Sequence, residues 1–166
     1  MRLIGYLNDK GGSGKSFACS AHADILRRAG KQPLLVDTDG EVGHLARMFG
    51  ERNATGQLLT EQSLNGVRRY GFHADERDRV EFASILEERA DLVLVDFPAA
   101  SVTLLRAVEQ DYGFFKVAHD RGYAVTLVVV ITPDAASMAS LRGAAQLDPN
   151  ADLVLVRNAA GNGILN

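Results

Sequence analysis

Residues 8–16 read Asn-Asp-Lys-Gly-Gly-Ser-Gly-Lys-Ser and join an apolar run, Leu3-Ile4-Gly5-Tyr6-Leu7, to a helix-period segment. No other feature constrains the chain as much. Glycines in this position let successive backbone N–H groups turn inward as a nest, and the start of the following helix adds a positive partial charge. Such a cradle accepts phosphate. Within it Lys15 would reach the β- and γ-oxygens and Ser16 would offer its hydroxyl to magnesium. The plain alternative is a Gly-rich turn that binds nothing. Three glycines followed by Lys-Ser, between a strand and a helix, weigh against it.

Short apolar runs alternate with helix-period segments along the whole chain, which predicts α/β architecture: a mostly parallel central sheet flanked by helices. The strand candidates are 2–7, 33–37, 91–96, 123–132 and 151–157, rich enough in Leu, Val and Ile to be buried on both faces. Phe17, Ala18, Ala21, Ile25 and Ala29 predict one helix face, with Gly30 ending the helix. Phe82, Ile85, Leu86 and Ala90 predict another, with Asp75 as N-cap, and Asp134 is placed to cap a helix carrying Met138, Leu141 and Ala145. Right-handed crossovers would bring all strand C-termini to one edge. Residues 50–74 are the least periodic and read as a surface excursion. The hexapeptide Ala-Asp-Leu-Val-Leu-Val occurs at 90–95 and again at 151–156 with unlike flanks, which suggests convergent buried strands rather than a duplication.

At 166 residues the chain suits one domain, residues 1–166. A net charge of -3 gives no global basic character that would favour nucleic acid. Arg68, Arg69, Arg77 and Arg79 are interleaved with Asp75, Glu76, Asp78 and Glu81, the pattern of a solvated face. With Cys19 alone, no internal disulfide can form, and histidines at 22, 44, 73 and 119 have no ligand spacing for zinc. The N-terminus lacks the apolar core of a signal peptide, and the longest apolar stretch, Ala124 to Ile131, is too short to span a bilayer, so the chain reads as cytoplasmic.

The usual pattern G-x-x-x-x-G-K-[ST] has Asp9 at its first glycine, and a lysine, Lys10, stands immediately before Gly11 and Gly12. This deviant Walker A signature resembles that of the ParA/MinD family of dimerising P-loop ATPases. The resemblance extends to about residue 160. It implies ATP and Mg2+ as cofactors, with Gly11, Gly12, Ser13, Gly14, Lys15, Ser16 and Phe17 forming the nucleotide-binding run. It also implies that Lys10 crosses a dimer interface to the partner's phosphates, where a second cation neutralises transition-state charge.

Leu34-Leu35-Val36-Asp37-Thr38-Asp39 ends a strand with two acids on alternate positions, so both can address one magnesium-bound water shell. The family has a similar Asp-x-Asp, which implies that Asp39 orients the attacking water while Asp37 supports the metal; Gly40 stands where proline is common. Leu92-Val93-Leu94-Val95-Asp96-Phe97-Pro98-Ala99 looks like the family's Walker B region and implies a magnesium role for Asp96. Less specifically, Ile131-Thr132-Pro133-Asp134 resembles the family's next strand-to-helix step, and Asn158 matches a strand-end asparagine that recognises adenine. Each acid and amide also has the ordinary alternative of capping a turn or helix.

The resemblance thus implies an ATP-driven homodimer whose hydrolysis is stimulated by a partner protein, serving DNA partition, plasmid transfer or the positioning of cellular cargo. Asp37-Thr38-Asp39, the 72–90 segment and Asp96-Phe-Pro-Ala-Ala-Ser101 also look like the conjugal-transfer TraL/MobD-type branch. Nonspecific DNA and membrane both serve as surfaces in the family, yet no basic patch or amphipathic membrane helix is visible in the sequence. Three alternatives stand beside this reading. They are a small-molecule ATP-dependent ligase or kinase resembling dethiobiotin synthetase, an iron–sulfur carrier, and a noncatalytic nucleotide-dependent scaffold. The lone Cys19 weighs against the carrier. After the last strand only Ala-Ala-Gly-Asn-Gly-Ile-Leu-Asn remains, which suits a C-terminally truncated form.

Overall fold

Five apolar runs become the strands they predict: β1 (Arg2–Leu7), β2 (Leu34–Asp37), β4 (Leu92–Asp96), β5 (Ala124–Ile131) and β6 (Asp152–Arg157). A computed structural model describes residues 1–40, 43–72 and 76–159. With β3 (Val67–Arg69) the strands form one six-stranded sheet, ordered β3-β2-β4-β1-β5-β6. Every neighbouring pair is parallel. Parallel neighbours need long crossovers, and the helices supply them.

Alternation along the strands divides the core in two. One face carries Leu3, Leu7, Val36, Val93, Val95 and Val129, packed with aromatic residues such as Phe82, Phe97 and Phe114. The opposite face carries Ile4, Tyr6, Leu35, Leu94, Val128 and Val130, covered by Cys19 and Ala23 of α1 (Lys15–Arg28) and by Leu45 and Ala46 of α2 (His44–Phe49).

Several expectations need correction. The 50–74 excursion contains β3, which pairs with β2 through Leu35↔Val67 and Asp37↔Arg69. Its strand signal is weak because two of its three residues are arginines. The solvent face of α1 carries Phe17, 75% exposed, and Ile25, 64% exposed. Lys15 must face the loop, and Cys19 and Ala23 follow it at i+4 and i+8, so the loop sets the rotation of the helix. Phe17 lies about 200° round from Lys15 and turns outward.

Asp134 does cap α6 (Ala135–Ala144), accepting from the Ser137 N–H. The buried side of that helix is Ser137, Ser140 and Ala144, whereas Met138 and Ala145 face outward. Phe82, Ile85 and Leu86 are buried as expected, on α3 (Glu76–Ala83) and a following 3-10 turn (Ser84–Glu88). The Asp75 cap lies outside the described residues. Helices α2, α4 (Ser101–Tyr112) and α5 (Phe114–Asp120) were not anticipated, and Gly113 at φ 60 separates the last two.

Candidate functional site

The parallel order brings the C-terminal ends of β1, β2, β4, β5 and β6 to one edge, and the Gly-rich loop lies there. Gly12 (φ 71) and Gly14 (φ 99) occupy the left-handed region that side chains avoid. Among the described residues beyond its chain neighbours, none lies within 4 Å of where a Cβ on Gly12 would stand, whereas one on Gly14 would come within 2.8 Å of Asn158 Nδ2. The loop is therefore open at Gly12 and closed against β6 at Gly14. Gly11, Gly12 and Phe17 are exposed beside it, while Ser13 and Lys15 are buried.

Lys15 Nζ donates to the Lys10 carbonyl at 3.3 Å. Burial lowers the Lys15 pKa, opposed by the nearby charges of Asp96, Asp39 and Asp9. Lys10 points to the other side of the loop. Its Nζ meets Asp134 Oδ2 at 2.7 Å and Thr132 Oγ1 at 3.5 Å. The Lys10 ammonium, then the Thr132 hydroxyl and the Ser137 N–H, hold the Asp134 carboxyl well below its ordinary range. The Asp9 carboxylate accepts from Val102 N–H at 2.8 Å in the first turn of α4. A helix N-terminus suits that charge.

Three acids approach the loop from β2 and β4. Asp96 is buried, bonded to the Ser16 hydroxyl, and its pKa rises to about 7. Desolvation is the main cause, Asp37 and Asp39 add to it, and the Ser16 bond and Lys15 oppose it. Asp37 is the register neighbour of Asp96 and is fully buried. Its oxygens accept from Asp39 N–H and Ala46 N–H, each at 3.1 Å, and it packs so tightly on Gly43 that a Cβ there would lie 1.9 Å from Oδ1. Burial raises its pKa against those hydrogen bonds. Asp37 therefore organises the turn from β2 into α2, as well as standing next to Asp96. Asp39 is exposed at the loop mouth, within electrostatic reach of Lys15 and Asp96.

The structure brings Lys15, Ser16, Asp37, Asp39 and Asp96 together, with Lys10 at the rim. Asn158, at the end of β6, donates from Nδ2 to the Ser13 carbonyl at 2.9 Å, so it braces the loop. Sequence reasoning missed Thr38, whose Oγ1 donates to the Asp96 carbonyl at 2.7 Å and ties the two acid-bearing strand ends together. It also missed the buried Asn8, Ser101, Ser137 and Ser140. An Asn two residues before the lysine is a legible turn signal, but the serines become partners only through the fold.

The residues fit a nucleoside phosphate together with a divalent cation. At the loop, the buried Asp96 Oδ1 and Ser13 Oγ have no hydrogen-bond partner among the described residues. Buried polar atoms are normally paired, so an orphaned carboxylate oxygen beside a serine hydroxyl fits a cation and its water shell. Ser16 and Asp96 are the residues that would hold it.

No family model matches the chain, and no curated protein does. Solved structures do. The BceF tyrosine kinase domain is 22% identical with a TM-score of 0.56, over 95% of this chain and 68% of that one. A nucleotide-binding protein from Archaeoglobus fulgidus, in complex with ADP and with Co, is 20% identical with a TM-score of 0.55, over 95% and 66%. A ParA family ATPase from Chlorobium tepidum TLS is 16% identical with a TM-score of 0.50, over 95% and 73%. The chain spans about two thirds of the length of the first two. These likenesses show the fold alone: the parallel sheet flanked by helices is shared with those three structures.

Proposed function

We propose that the chain binds ATP with magnesium and hydrolyses it slowly, as a switch that dimerises with ATP and separates after hydrolysis. The observation that carries this reading is the meeting of Lys15, Ser16 and Asp96 around an unpaired buried carboxylate oxygen, with a second lysine at the loop rim. Bound magnesium would supply charge neutralisation across the β- and γ-oxygens.

In this reading the backbone N–H groups from Gly11 to Phe17 cradle the phosphates. Lys15 leaves the Lys10 carbonyl to reach them, and Ser16 with Asp96 holds the metal shell. Asp37 keeps the β2 turn rigid, so that Asp39 presents its exposed carboxylate to the attacking water. Lys10 exchanges Asp134 for a partner's phosphates, and Asn158 meets the base from the wall it shares with Ser13. A stimulating protein partner and a role in partition, plasmid transfer or cargo positioning belong to the same proposal.

Light scattering on Asp39→Ala protein tests it. A dimer with Mg·ATP and a monomer with Mg·ADP is the expected result; a monomer in both, with nucleotide bound, would overturn the switch. Lys15→Ala should weaken nucleotide binding by about a hundredfold or more, since it removes a charged donor from a desolvated phosphate site. Calorimetry showing unchanged affinity would remove the phosphate-loop reading itself.

A further inference from the structure

Asn8, the residue immediately after β1, is fully buried and uses its entire amide. Its Oδ1 accepts from the Lys10 N–H at 2.7 Å and from Ser140 Oγ at 3.1 Å. Its Nδ2 donates to the Val130 carbonyl at 2.7 Å and to Ser137 Oγ at 3.2 Å. Its backbone N–H donates to Ser101 Oγ at 3.0 Å. One side chain therefore joins the start of the loop to the end of β5 and to two serines of α6, all more than 120 residues away in sequence.

The bond to Lys10 N–H is an Asx turn, which sets the direction of the peptide two residues on. Residue Lys10 matters twice. Its side chain sends Nζ to Asp134, and its carbonyl, on the following peptide, accepts from Lys15 Nζ. We infer that Asn8 is the positioning residue of the phosphate loop, fixing the Lys10 peptide from which both phosphate-directed lysines are set. Asp9 completes the anchor on the α4 side, through Val102. A loop with an acid in place of its first glycine has less backbone freedom, and side-chain anchors on both flanks give it a defined entry instead. This inference rests on the proposal that the loop binds a nucleotide.

The test compares Asn8→Ala with Asn8→Ser. Both lose the bonds to Val130 and Ser137, but a serine hydroxyl can accept the same N–H in an ST turn. The readout is the calorimetric affinity for a nonhydrolysable ATP analogue with Mg2+. Asn8→Ala should weaken it about tenfold, and Asn8→Ser should stay within about threefold of the parent, as expected for a misplaced loop restored by one bond. Serine no better than alanine, or alanine no weaker than the parent, overturns the inference. Should Asn8→Ala fail to fold, amide exchange on the nucleotide-free parent decides. A protected Lys10 N–H supports the turn, and a freely exchanging one overturns it. A parent that binds no analogue while Lys10 N–H stays protected would sink the proposed function and leave the loop anchor standing.

Discussion

The two copies of Ala-Asp-Leu-Val-Leu-Val have opposite fates. In β4 the repeat lies between β2 and β1, and Val93, Leu94 and Val95 are all 0% exposed. In β6 it lies at the sheet edge, and Leu153, Val154 and Leu155 are 37%, 43% and 49% exposed. Identical residues thus read as identical strands, and strand propensity is where the likeness stops. Position in the sheet decides burial, and burial decides what the next residue can do. The β4 copy is followed by Asp96, which ends the strand, desolvated enough that its pKa rises to about 7 beside Ser16 and Lys15. The β6 copy is followed by the exposed Arg157 and then by Asn158, which donates a hydrogen bond to the loop.

The comparison breaks most visibly at its equivalent leucines. Leu94→Ala should cost about 2–5 kcal/mol, the range for deleting a buried leucine side chain, whereas Leu155→Ala should cost less than about 1 kcal/mol. Denaturant melts measure both. Similar losses would mean that the β6 edge is covered in solution, as an unpaired apolar edge strand invites.

Asp96 sharpens the contrast through pH. Its folded pKa of about 7 lies above the ordinary 3.8, so its ionisation opposes folding. Stability from this group is fully present below about pH 4, falls as pH rises towards about 7, and is level beyond; the whole effect is at most about 4 kcal/mol. Asp96→Asn should flatten that part of the curve and melt higher than the parent at pH 8 in the absence of nucleotide. Parallel melting curves between pH 5 and pH 8 would show that Asp96 ionises without penalty.

The smallest effect belongs to the far strand. Asn158→Ala removes the partly buried hydrogen bond to the Ser13 carbonyl and should cost about 1 kcal/mol, with faster amide exchange confined to the Gly-rich loop. A loss as large as that from Leu94→Ala would give β6 a larger part in holding the loop than its exposure suggests.

Much of this was legible from sequence. The five longer strands are continuous apolar runs, the form of strands buried on both faces; four of them are so buried, and the expectation fails for β6, which lies exposed at the sheet edge. The loop was legible because glycines followed by Lys-Ser between a strand and a helix are a local pattern of residue types. Helix faces were read less well. Phe17 and Ile25 look like core by size, but α1 is turned by Lys15, and the sheet takes the smaller Cys19 and Ala23. The short β3 escaped because Val67 is its one fully buried residue and its remaining signal is pairing with β2.

By itself the sequence determined the α/β alternation, the Gly-rich turn between β1 and α1 and which acids end strands. These are local properties, carried by residue type over spans shorter than one element. Tertiary structure alone decided that Asp9 turns to α4, that Lys10 meets Asp134, and that Asn8 reaches β5 and α6. It also decided that one Leu-Val-Leu-Val is core and the other is surface. Each of those outcomes depends on neighbours that only the sheet order brings together, and desolvation and hydrogen bonding act through space rather than along the chain.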